Sequence, residues 1–227
     1  QGAITNDATN HSAVTLATQT STGEINLGGV AGDVLGASDD LENNGNVDFT
    51  AVDVATAYVG GLVGSGASKL ENSTNNNAVT VNATTNIDTL GLGGLCGESS
   101  AITLTSNTNN GALSTNAGEV LHIGGLVGRG AGAITASSCT NSETGTVTLN
   151  NTNLELTEVA AGGLCGRGTN KSVFTSCTNN ARVSLTAKSA TTGYLAGISA
   201  MPTNAKVTSS YATNAVSCTN TGDLYAN

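Results

Sequence analysis

Along this chain, apolar and polar residues alternate with a period of two over short runs, and the runs recur. Val14-Thr15-Leu16, Val47-Asp48-Phe49, Val79-Thr80-Val81, Val147-Thr148-Leu149 and Val183-Ser184-Leu185 each put apolar side chains on one face and a polar one on the other. Such alternation, bounded by Gly, Asn and Ser, predicts short strands. No segment carries a convincing helical period, so the chain is expected to be all-β.

A second pattern travels with the first. The segments INLGGVAGD from Ile25, AYVGGLVGS from Ala57, LGLGGLCGE from Leu90, HIGGLVGR from His122 and AAGGLCGRG from Ala160 share a glycine pair between apolar residues. The pairs are Gly28-Gly29, Gly60-Gly61, Gly93-Gly94, Gly124-Gly125 and Gly162-Gly163, at steps of 32, 33, 31 and 38 residues, and a weakened copy with Ala196-Gly197 follows 34 residues on. About ten residues after each pair comes an aliphatic start, at Leu41, Leu70, Ile102, Ile134, Val173 and Val207, with Ile4 at the front. Thr-Asn steps follow at Thr9-Asn10, Thr74-Asn75, Thr108-Asn109, Thr140-Asn141, Thr178-Asn179 and Thr213-Asn214, whereas the copy at Leu41 reads ENNGNV.

A period of 20–50 residues decides the architecture. One repeat of three short strands cannot bury its own apolar face, but stacked repeats can. The prediction is a parallel β-helix (β-solenoid) of about six to seven coils, three short strands per coil, with coils ~4.8 Å apart. One repeat domain spans residues 1–227, with coils starting near 4, 41, 70, 102, 134, 173 and 207. The crossover preference of parallel strands makes it right-handed. The end coils are expected to be uncapped, which invites stacking of copies end to end or continuation in a longer chain.

The glycine pairs are expected at a sharp corner, where Gly permits positive φ and close backbone approach. The residue after the next apolar position (Ala31, Val63, Cys96, Val127, Cys165, Ser199) is small because that corner is crowded, and the glycine after it, as at Gly128, marks the following corner. Asn10, Asn75, Asn109, Asn141 and Asn179 fit a second corner, since Asn accepts the left-handed conformation and stacked amides can bond to one another.

VGGLVG and IGGLVG, followed by an aliphatic start and by TSSYATNAV at residues 208–216, resemble the GLUG motif of bacterial secreted and surface proteins, among them adhesin-like repeats and non-catalytic parts of immunoglobulin-A-cleaving proteases. The resemblance covers nearly the whole chain. It implies a β-solenoid displayed outside the cell and no specific ligand. The long insert before Gly162 and the eroded copy at Tyr194 depart from the motif's pattern.

Composition narrows the function. The formal charge is −9, from seven Lys and Arg against sixteen Asp and Glu, with no basic cluster, which argues against nucleic acid as a partner. No apolar run approaches the ~18–20 residues of a membrane span. The only histidines, His11 and His122, lie outside any H-E-x-x-H motif, and His122 reads as an outward strand residue. Asp39, Asp40, Glu42, Asp48 and Asp53 cluster in one repeat. Asp39, Asp40 and Glu42 offer a candidate calcium loop, and a pair of the carboxylates could serve glycoside hydrolysis. The simpler reading is a solvated acidic loop, with no cofactor and no metal. Cys139 and Cys177 share one register position in adjacent repeats, as Cys96 and Cys165 share another two repeats apart. A Cys139–Cys177 disulfide and free buried thiols both fit, and free thiols fit the Ala and Ser found there in other copies better. The residue after each corner glycine reads Asp33, Ser65, Glu98, Arg129, Arg167, which stacks Glu98 against Arg129 and Arg129 against Arg167. Sequons at Asn10, Asn72, Asn82, Asn150 and Asn170 are expected by chance in so Asn-rich a chain.

The expectation is a non-enzymatic extracellular module, adhesin-like or structural, that meets a host or neighbouring-cell surface protein or glycan and can stack into filaments. A β-helical carbohydrate-binding or polysaccharide-degrading protein is the alternative, and ice binding on Thr ladders is a third.

Overall fold

The computed structural model describes residue 4 and residues 7–169, 171–202 and 214–226. Within them every regular element is a strand and every strand pairing is parallel, successive coils stacking about one repeat apart. The expected β-solenoid is what the chain forms. Four sheets rather than three run along it, of eight, six, six and seven strands.

The longest strands make the first sheet: Val14–Gly28, Val47–Gly60, Val79–Gly93, Val147–Gly162 and Val183–Ala196. One level is split into Leu113–Thr115 and Val120–Gly124, and Leu224–Ala226 adds a last short strand. The period-2 run of each repeat and the approach to its glycine pair are therefore one strand. It bends where the register shifts, as between Ala83 and Asn86. The corner sheet follows the glycines, from Ala31–Asp33 through Val63–Ser65, Cys96–Ser99, Val127–Gly130 and Cys165–Gly168 to Ser199–Pro202. A third sheet holds Ala37–Asp39, Lys69–Glu71, Ile102–Thr105, Ile134–Ser137, Val173–Thr175 and Asn214–Val216. The fourth is made of the Thr-Asn steps themselves, from Ala8–Asn10 and Leu41–Asn43 to Thr219–Asn220.

Strand register corrects two of the repeat boundaries. Leu41 stands level with Ala8, and its neighbours Glu42 and Asn43 stand level with Thr74 and Asn75. The position of Leu70 is filled in that coil by Ser38. Glu42-Asn43 is thus the Thr-Asn step of its coil. In the last coil the step is Thr219-Asn220, which pairs with Thr178-Asn179, while Asn214 pairs with Val173. The expected start at Val207 and the Thr of the expected Thr213-Asn214 step lie outside the described residues.

The left-handed corner also moves. Positive φ among non-glycine residues falls at Asp7, Asp40, Asn72, Ser106, Ser138, Ser176 and Ser217, two positions before each Thr (or Glu42), not at the Asn. Nor do the glycine pairs use positive φ: only Gly66 and Gly118 do so among the described glycines. The pair exists for close approach. A Cβ on Gly60 would lie 2.0 Å from the Val63 carbonyl oxygen, and one on Gly61 would lie 2.2 Å from that of Gly94 and 2.4 Å from the Asn75 side chain. Gly128 is not a corner either, since it lies within its strand, against the Leu92 backbone.

The contact between the second glycine and the Asn divides the interior. One apolar cluster runs along the first sheet, its split level included, with Phe49, Val81, Leu90, Leu121 and Leu149 among its buried members. The other lies within the corner and third sheets, around Leu62, Leu70, Leu95, Leu104, Leu126 and Phe174. Between them runs a column of amides. Asn10, Asn43, Asn75, Asn109, Asn141 and Asn179 each donate from Nδ2 to the Oδ1 of the next, ending at Asn220, over 2.7–2.9 Å. The second hydrogen of each amide goes to a backbone carbonyl, such as that of Gly111 for Asn109. Buried polar groups are tolerated when satisfied in this way.

Candidate functional site

A cluster of charged and polar side chains, buried or half-buried, lies where the long sheet meets the corner sheet. Two register rows build it. In the long sheet, Tyr58, Gly91, His122 and Ala160 succeed one another. In the corner sheet, Ser65, Glu98, Arg129 and Arg167 do so. The charged stack legible in the sequence is therefore present, level by level.

Gly91 leaves a gap that its neighbours fill. Arg129 reaches across it, donates from Nη1 to Tyr58 Oη at 2.5 Å, and sets its guanidinium 5.8 Å from the Tyr58 ring centre. A Cβ at Gly91 would meet the Tyr58 ring at 3.0 Å, so a larger residue would disturb this contact. One coil on, His122 is 0% exposed, contrary to the outward position expected for it. Its Nε2 lies 2.7 Å from Glu158 Oε1, and its Nδ1 is buried without a protein partner. Its register neighbours on either side, Gly91 and Ala160, are small.

Burial dominates the electrostatics. It pushes His122 down to about 4, against the pull of Glu158 and with help from the charges of Arg167 and Arg129. It raises the Tyr58 hydroxyl although Arg129 pulls the other way. It raises Glu98, whose carboxylate Arg129 and the Ser65 hydroxyl stabilise. It lowers Arg167, and the like charge of Arg129 lowers it further. The Nε atoms of Arg129 and Arg167 are both buried without a partner. This face can present guanidinium donors in a poorly hydrated setting. His122 engages the Glu158 carboxylate through Nε2.

The predicted acidic loop is not gathered. Asp39 lies on the third sheet level with Glu71 and near Lys69, Asp40 forms the left-handed corner, and Glu42 accepts a hydrogen bond from Asn76 on the Asn sheet. Among the described residues, no three His, Cys, Asp or Glu side chains converge as a metal site would need. Asp53 borders a depression of about 170 Å³ with Thr20, Ser21, Thr22, Ala55 and Asp88, and Asp39 borders one of similar size with Ala37, Ser38 and Lys69. Both are smaller than the ~300 Å³ at which ligand pockets begin.

Asn10, Asn75, Asn109, Asn141 and Asn179 stand in the internal column as their Thr-Asn steps predicted, whereas Asn214 lies on the third sheet and Asn43 and Asn220 complete the column. Cys96, Cys139, Cys165 and Cys177 are free, buried thiols, and Cys139 and Cys177 each donate to a backbone carbonyl, of Ser137 and Thr175. Tyr58 and Glu158 were not singled out by sequence. Tyr58 could have been, because it lies two residues before its glycine pair, as Gly91 and His122 do. Glu158 sits in the longest repeat, with no such reference point. Comparison with protein-family models, with curated proteins and with solved structures gave no match to this chain.

Proposed function

We propose that this chain is a non-enzymatic extracellular module, adhesin-like or structural, of the kind its GLUG-like repeats suggest. The observation that best supports the reading is the column of seven hydrogen-bonded Asn amides running from Asn10 to Asn220. It ties every coil to the next through the interior, so the unit suits a stiff spacer that holds its outer faces in fixed register. A protein or glycan on a host or neighbouring cell is the partner proposed for those faces. Parallel strand edges at the first and last coils pair readily with further strands, of a longer chain or of a second copy, and self-association belongs to the same reading.

The test is retention of protein-coated beads on epithelial and bacterial cell layers under flow, with soluble protein as competitor. Competable retention is expected. Beads that detach from every surface as fast as albumin-coated ones, together with a monomer in sedimentation velocity at all concentrations, would overturn the reading.

A further inference from the structure

The protein carries seven Lys and Arg and a formal charge of −9, yet two of its arginines stand directly over one another. Arg129 and Arg167 occupy the same register position on adjacent strands, whose spacing is about 4.8 Å. Like charges at that separation repel, and partial burial removes the water that would screen them. An arrangement of this kind is ordinarily relieved by a carboxylate. Here the nearest carboxylates act on the arginines only from beyond ion-pair distance: Glu98 Oε2 accepts the Ser65 hydroxyl while favouring Arg129 through space, and Glu158 Oε1 meets His122 while favouring Arg167. Among the described residues, neither arginine has a carboxylate oxygen within ion-pair distance. Both Nε atoms are buried and unpartnered, while Arg129 is held in place by Tyr58.

We propose that Arg129 and Arg167 form a binding site for one oxyanion, a carboxylate or sulfate group, that bridges the two guanidiniums across adjacent coils. Guanidinium forks match such groups in geometry, and charge-assisted hydrogen bonds are stronger than neutral ones. The bound group offsets the repulsion between the two half-buried arginines by meeting the part of each guanidinium that solvent reaches. The same chemistry is offered by a free inorganic anion and by the acid groups of a sulfated or uronic-acid glycan. The site does not depend on the adhesive reading, since it needs only the two side chains.

The test titrates the whole chain with sodium sulfate, with a sulfated disaccharide and with a galacturonate oligomer, at constant ionic strength set by sodium chloride. Calorimetry gives the affinity. The ring signals of His122, told from those of His11 by a His11→Gln variant, report whether binding occurs beside it. Saturable binding that shifts the His122 signals is expected, with an affinity at least ~10-fold weaker in Arg167→Gln. Arg167→Lys, which keeps the charge but loses the fork, falls between, and the distant Lys188→Gln binds as the native protein does. Saccharides binding ~10-fold more tightly than sulfate identify a glycan as the source, whereas equal affinities identify the acid group alone. Circular dichroism checks folding, and if Arg167→Gln does not fold, Arg167→Lys and Arg129→Lys carry the comparison. The proposal is overturned if no probe gives saturable binding, or if the folded arginine variants bind as tightly as the native chain.

Discussion

Asn109 donates its side-chain amide to the Oδ1 of Asn141 at 2.9 Å and accepts, at the same distance, from Asn75 one coil before. Removing it in Asn109→Ala leaves a donor on Asn75 and an acceptor on Asn141 buried with no partner. Each such loss costs ~1–3 kcal/mol, so the expected destabilisation is ~2–4 kcal/mol. The outer row gives the contrast. Asn76 bonds to Asn44 and Asn110 in much the same ladder pattern, but on a face that water reaches. Asn76→Ala is expected to cost ~1 kcal/mol or less. Chemical denaturation of both variants measures the difference, and equal losses would mean that the inner column is no more than a surface ladder.

The glycines divide in the same manner. A Cβ at Gly125 would lie 2.1 Å from the Gly163 carbonyl oxygen and 2.3 Å from Asn141 Nδ2, so Gly125→Ala must force the two sides of the coil apart. Overpacking of this kind costs ~1–3 kcal/mol or more. At Gly193 the nearest atom is Val159 Cγ1 at 3.7 Å, ordinary contact distance. Gly193→Ala is expected to be neutral, or stabilising by ~0.4–1 kcal/mol through the unfolded chain. Thermal unfolding of the two variants separates them. A tolerated Gly125→Ala would remove the explanation given for the doubled glycines.

The architecture was legible because its two strictest steric demands, glycine beside glycine and Asn beside glycine, recur at one period. What escaped the sequence were positions where chemistry permits more than one residue. Glu42 replaces the Thr of its step because that side chain faces outward, and Leu41 then imitates an aliphatic start while occupying the place of Ser73. The left-handed corner is taken by Asp, Asn or Ser, so no single letter marks it. The stack of Arg129 on Arg167 could be read from register alone. The pairing of His122 with Glu158 could not, because the 38-residue step displaces Glu158 from the regular spacing.

Thiol labelling distinguishes the five cysteines. Burial pushes the thiols of Cys96 and Cys165 up to about 12. At pH 8 that leaves ~1 in 10,000 as the reactive thiolate, and no reagent reaches them without opening of the coil. Cys139 and Cys177 are buried, each Sγ directed at a backbone carbonyl (Ser137 and Thr175), whereas Cys218 is partly exposed, its Sγ directed at the Phe174 carbonyl. Iodoacetamide followed by peptide mass spectrometry is expected to modify Cys218 first and the other four at the rate of unfolding. Fast modification of Cys96 in the native protein would contradict the packing around the corner sheet.

The last prediction concerns acid. His122 has a folded-state value of about 4 against ~6.5 in an unfolded chain, so the unfolded state binds the extra proton between those limits. Its contribution to stability is therefore intact above pH ~6.5 and is lost as the pH falls toward 4, with a slope of at most ~1.4 kcal/mol per pH unit. The groups that face it are Glu158, which favours the charged ring, and Arg129 and Arg167, which oppose it. Glu98 works with the opposite sign: its carboxyl is raised in the folded state, so its contribution is present at low pH and lost as the pH rises through that raised value. The two overlap, and the native protein alone would blur them. The informative quantity is the difference in unfolding free energy between the native chain and His122→Gln, followed from pH 7 to pH 4. The native chain is expected to lose more stability than the variant over that range, with most of the extra loss below pH 6.5. Parallel curves would mean that His122 titrates alike in both states and is not the sealed, neutral imidazole that its burial between Gly91 and Ala160 implies.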